Sequence, residues 1–149
     1  MRFAHLASAL LFSSVIGGGI ALAHADSSQV HDEPMIVAGI ETVCTGVGLE
    51  ARTDPKWSAY PLKLEFVGKF GQMLGGTKVT VSGNGHTVDV HCSGPWVLMK
   101  LPAGSYHMSA DVADAGHKEM NIRVPSKLTI RYPNSGGEIT KNKEQIAAR

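Results

Sequence analysis

The sequence predicts an all-β fold, an antiparallel two-layer sandwich of about seven strands, on three observations. Apolar and polar residues alternate repeatedly from Pro61 onward. Turn residues separate the alternating runs at regular spacing. No long amphipathic helix interrupts them.

Each element has its own signal. Met35 to Val43 is apolar and reads as an opening strand, whereas Thr45 to Tyr60, with its glycines, proline and scattered charges, shows no clear period. Within it, Gly48 to Thr53 is consistent with a single helical turn. Leu62, Leu64 and Phe66 alternate with Lys63 and Glu65, the pattern of a strand with one buried face. Gly71 to Gly76, which carries Gln72, Met73 and Leu74, suits a hairpin connection rather than a phosphate loop.

Val79 and Val81, then Val88, Val90 and Cys92, form two further inward rows on either side of Gly83-Asn84-Gly85, whose residues tolerate positive φ. These two strands are expected to pair as a hairpin. Ser93-Gly94-Pro95 breaks the chain before the apolar run Trp96 to Leu101, and Leu101-Pro102-Ala103-Gly104 has type I turn chemistry. Tyr106, Met108, Ala110 and Val112 then face inward, as do Met120, Ile122 and Val124 after the turn at Asp114-Ala115-Gly116. Beyond Pro125, Leu128, Ile130 and Tyr132 make the last inward row.

The ends read differently. Met1 to His5 has one firm positive charge, an apolar run extends from Leu6 to Ala23, and Ala23-His24-Ala25 is a small-x-small cleavage pattern. Residues 1–25 are expected to be an export signal. An uncleaved anchor is the alternative, although Gly17-Gly18-Gly19 weakens the run as a membrane helix. The division expected is therefore signal 1–25, polar lead-in 26–34, sandwich 35–133 and polar tail 134–149. Localisation is expected to be periplasmic or secreted, with no stable membrane span once the signal is removed.

The full chain has 14 basic and 13 acidic residues, and loss of Arg2 leaves 13 of each. A neutral protein without blocks of like charge has no electrostatic drive toward nucleic acid. In an oxidising compartment Cys44 and Cys92 are expected to form a disulfide, against the alternatives of a Cys/His metal site or two free thiols.

Three segments resemble a known family: Gly46-Val47-Gly48; Tyr60 to Phe66 with Val79-Thr80-Val81; and Gly94-Pro95-Trp96-Val97-Leu98-Met99-Lys100-Leu101-Pro102-Ala103-Gly104-Ser105-Tyr106. They are similar to exported bacterial proteins with a carboxypeptidase-regulatory-like, transthyretin-like (prealbumin-like) sandwich, over about Val43 to Val124. Val97 stands where that signature usually has leucine. The resemblance implies a fold and no agreed activity. One enzymatic branch of the transthyretin-like fold hydrolyses 5-hydroxyisourate and carries a terminal Tyr-Arg-Gly-Ser. Here Ile130-Arg131-Tyr132-Pro133 matches that motif in no register, so none of its catalytic residues carries over.

No Gly-x-Ser-x-Gly elbow or phosphate loop is present, and Ser93 reads as a turn residue. Asp89 and Glu65 fall on outward faces, where solvated carboxylates are the default. His86, His91, His107 and His117 lie in or beside strands; His91 and His107 point outward and are expected to approach each other at cross-strand distance if their strands share a sheet. No His-x-His or Cys-x-x-Cys spacing supports a metal site, and no cofactor is expected. Of Trp57, Trp96, Tyr60 and Tyr106, Tyr106 and Trp96 read as core plugs, whereas Trp57 is the candidate for an exposed aromatic contact. The expected function is a non-catalytic binding or accessory module acting on an envelope protein, not an enzyme. The alternative is small-ligand or metal binding through surface histidines.

Overall fold

The computed structural model describes residues 32–135. The predicted signal, most of the lead-in and the tail after Ser135 lie outside these residues. Among the described residues, no helix is long and apolar enough to cross a membrane.

The strands are β1 (Met35–Val37), β2 (Ile40–Thr45), β3 (Leu62–Gly68), β4 (Thr77–Gly83), β5 (His86–Cys92), β6 (Trp96–Met99), β7 (Gly104–Val112), β8 (Gly116–Val124) and β9 (Ser126–Tyr132). A short helix α1 (Gly48–Thr53) and a 3₁₀ turn over Pro55–Ala59 lie between β2 and β3. The larger sheet has the order β1-β2-β6-β3-β9, and the smaller sheet has the order β5-β4-β7-β8. The fold is thus all-β and a two-sheet sandwich, as the alternation predicts.

Three details differ from expectation. The opening strand is a hairpin, because Ala38 and Gly39 take φ of 49° and 80° and turn the chain tightly between Val37 and Ile40. This split helps bring the strand count to nine, not about seven. The Gly71–Gly76 segment turns back antiparallel on β3, with Met73 bridging Val67, but does not join β3 to β4 as a hairpin. Leu74 N–H donates to Phe66 O at 3.0 Å, and the chain then crosses to the smaller sheet.

The third difference is one of direction: β9 pairs with β3 in parallel, from Leu62↔Ser126 to Gly68↔Tyr132. Only Pro125 separates β8 from β9, so the chain leaves the smaller sheet there instead of turning back on β8. The position it reaches is beside β3, whose direction is already set by its antiparallel pairing with β6.

Inward side chains of both sheets form the main core, including Leu62, Leu64, Phe66, Val79, Val81, Val88, Val97 and Met108, all fully buried. Each such side chain contributes roughly 1.5–3 kcal/mol through apolar burial. Two links cross this core. Cys44 on β2 and Cys92 on β5 form the expected disulfide, joining one sheet to the other. Tyr132 Oη donates to Ala110 O at 3.1 Å, and burial pushes its phenol up to about 12.

A second apolar cluster lies on the opposite face of the larger sheet, formed by Val43, Trp57, Tyr60, Trp96 and Leu98. The α1 and 3₁₀ segment brings Trp57 and Tyr60 over the outward residues of β2 and β6. Asp54 starts the 3₁₀ turn by accepting from Lys56 N–H at 3.0 Å, with Pro55 at its first position. The larger sheet is therefore buried on both faces in its middle.

Candidate functional site

Three surface regions carry chemistry or exposed apolar area: the loops at one end of the sandwich, a cleft beside the second cluster, and the outward face of the smaller sheet.

The end region joins the loops that follow β2, β3 and β5. A Cβ placed on Gly94 would sit 3.5 Å from Val47 Cγ2, and one on Gly75 would overlap Ser93 O, so the three loops pack at Ser93-Gly94. Val47, Leu49, Phe70 and Met73 occur in or beside these loops, with Phe70 80% and Leu49 70% exposed. Of the exposed large apolar side chains among the described residues, Ile36 alone lies elsewhere, on the edge strand β1.

The cleft, about 160 Å³, lies between the α1–3₁₀ segment and the outward face of β3 and β9, lined by Arg52, Asp54, Trp57, Lys63, Trp96 and Lys127. Lys63 and Lys127 are register partners on β3 and β9. The Lys63 ammonium lies 3.2 Å from the centre of the Trp96 ring and 3.3 Å from Glu65 Oε2. Asp54 pairs with Lys56 at 3.0 Å; the Lys56 backbone N–H, the largest influence, helps hold its carboxyl below the ordinary range. Trp96 Nε1 is buried without an acceptor.

Trp57 is not the exposed contact that its polar neighbours suggest. It is 6% exposed, and its Nε1 donates to Ala51 O at 2.7 Å. The reason is the second cluster: the outer face of the larger sheet offers apolar area that a single-core reading does not anticipate. Tyr60 joins it and donates to Glu41 Oε1 at 2.6 Å. Burial first, and then that bond, raises the Tyr60 phenol, while Lys100 and Tyr60 lower the Glu41 carboxyl. Trp96 and Tyr106 are buried, as predicted; Tyr106 Oη donates to Pro102 O at 2.7 Å across the turn before β7.

The structure does not bring His91 and His107 together. Both point outward from the same sheet, but β4 lies between their strands, with His91 opposite Lys78 and His107 opposite Ser82. Two strand spacings across and four residues along put them about 16 Å apart. His107 instead has Nδ1 3.2 Å from Asn121 Oδ1. His117 bridges Asp111 at 2.8 Å and Glu119 at 3.2 Å, and these carboxylates, Asp111 foremost, raise its pKa. The groups run in a row along the β7–β8 hairpin and do not converge on a point. Among the described residues, no group of three or more His, Cys, Asp or Glu is placed to hold a metal ion.

No family model and no curated protein matches the chain. The functional reading therefore stands on the residues themselves. The sequence alone does not show the cleft, because its cations come from three separated elements. Their outward positions on β3 and β9 were legible, but the register that sets Lys63 beside Lys127 was not.

Proposed function

We propose that this protein is an exported, non-catalytic binding module that docks a partner protein of the cell envelope through the loop end of its sandwich. The observation that carries this reading is the concentration of Val47, Leu49, Phe70 and Met73 in loops that pack on Ser93-Gly94. Exposed aliphatic and aromatic side chains gathered on a scaffold, rather than scattered singly, are what a protein–protein contact uses. The loops are short and anchored by backbone bonds, including Gly76 N–H to Ser93 O at 3.2 Å, so little ordering is required on docking.

Export is supported by the composition of residues 1–25 and by the Cys44–Cys92 disulfide, which suits an oxidising compartment. Membership of the carboxypeptidase-regulatory-like family, which the Gly94 to Tyr106 stretch resembles, is part of this proposal and implies a sandwich without assigning an activity.

The test is capture from envelope extract by tagged protein, compared with a Leu49→Ser/Phe70→Ser variant. Both side chains are exposed, so the variant keeps its fold. A partner retained by the wild type and lost by the variant supports the proposal. Equal capture by both proteins would sink it.

A further inference from the structure

We infer that the cleft beside Trp96 is a binding site for a compact oxyanion, a carboxylate or phosphate group carried by a small molecule. This goes beyond the docking proposal and rests on a different surface.

The first ground is charge. Arg52, Lys63 and Lys127 line the cleft against a single carboxylate, Asp54, which is engaged by Lys56. Lys63 is partly held by Glu65, whereas among the described residues no carboxylate pairs with Arg52 or Lys127. The chain as a whole is close to neutral, so the cations are a local concentration and not part of a basic surface.

Register supplies the second ground. Lys63 and Lys127 sit side by side on the same face of β3 and β9, about 4.8 Å apart in the backbone. Like charges directly opposite one another destabilise a sheet. An anion between the two ammonium groups turns that repulsion into two attractions. Arg52, approaching from α1, adds a planar fork that matches either a carboxylate or a phosphate.

The third ground is the Trp96 indole. The side chain is 7% exposed and its Nε1 has no acceptor. A buried donor without a partner calls for an explanation. Besides its apolar cluster with Val43, Trp57, Tyr60 and Leu98, the ring meets Gly46, whose added Cβ would lie 2.7 Å from Trp96 Cγ, and the Lys63 ammonium. Gly46 is fixed backbone, whereas Lys63 is a flexible arm. An anion that draws Lys63 off the ring changes the surroundings of the indole. At about 160 Å³ the cleft suits one anionic group with little attached, below the size of a drug-like site.

The test uses purified ¹⁵N-labelled protein and follows the two indole N–H resonances during titration with sodium phosphate, with sodium glucuronate, and with sodium chloride at matched ionic strength. The expected result is a saturable shift of the Trp96 indole with a Kd of about 1 mM for at least one oxyanion and none for chloride. The Trp57 indole, already bonded to Ala51 O, stays in place. Phosphate alone would assign a phosphate group, glucuronate alone a carboxylate, and both a general oxyanion site. Arg52→Gln and Lys127→Gln, both at exposed positions, each weaken binding by about tenfold or more. Lys78→Gln on the other sheet leaves it unchanged. No saturable Trp96 shift with either oxyanion, or wild-type affinity in both cleft variants, would overturn the assignment.

Discussion

Replacing both cysteines by alanine tests how the sandwich is held together. Cys44 and Cys92 are separated by 48 residues, and both are fully buried between the sheets. Closing a loop of that length removes about 4 kcal/mol of conformational entropy from the unfolded chain. Losing two core sulfurs adds on the order of 1 kcal/mol through lost packing. The expected loss of about 5 kcal/mol equals the whole stability of a weakly stable domain. Urea unfolding of the oxidised wild type and of Cys44→Ala/Cys92→Ala, followed by tryptophan emission, measures it at comparable m values. The reduced wild type separates the cross-link from the packing and should lose about 4 kcal/mol. Because both sulfurs are buried, reductant added under native conditions should cleave the bond only as fast as the sandwich opens. A loss below about 1 kcal/mol in both reduced and double-alanine protein would refute the reasoning, since the loop entropy alone predicts several times that.

Other outcomes follow from single contacts. Gly46→Ala should cost about 3 kcal/mol, because Gly46 has φ of +93° and the new Cβ meets the Trp96 ring at 2.7 Å; thermal unfolding reads this out. Trp57→Phe leaves Ala51 O without its donor and should cost about 1–3 kcal/mol in urea unfolding, with hydrogen exchange rising first in α1. His117 should titrate above the ordinary imidazole value of 6.5, since Asp111 and Glu119 favour its charged form. A raised pKa means that its stabilising contribution is present below the ordinary value and lost as pH rises through the folded-state value. Asp111→Asn should lower the pKa measured by NMR and flatten that pH dependence; an unchanged titration would show that the carboxylate does not act on the ring.

The elements that were legible in the sequence are those with one wet face. Leu62, Leu64 and Phe66, and likewise Val88, Val90 and Cys92, alternate with polar residues because only one side of their strands meets the core. β6 shows no alternation, since Trp96 and Leu98 are buried on one face of the larger sheet while Val97 and Met99 are buried on the other. It was recognisable only through the break before it. The same double burial hid the role of Trp57. Ala38 gives no sign of its positive φ in the sequence, so the first hairpin looks there like one strand. The outward orientation of His91 and His107 follows from period alone, but their separation depends on β4 lying between β5 and β7. Strand order is a long-range outcome, and local pattern does not carry it. Lys63 and Lys127 were out of reach for the same reason, being neighbours only through a parallel register.

That parallel register also bears on how the chain reaches its native state. β3 finds its last partner 64 residues further on, from Leu62 to Ser126, after the second hairpin of the smaller sheet has been made. Pairings of such high sequence separation are formed late and slowly, because a long loop must close before any contact rewards it. Until Tyr132 is available, β3 presents an unpaired edge with Leu62, Leu64 and Phe66 on its inner face, an invitation to intermolecular strand addition. A chain cut short before Pro125 would keep that edge permanently. Its fate should be aggregation rather than a smaller sandwich, so the final strand acts as the chain's guard against self-association.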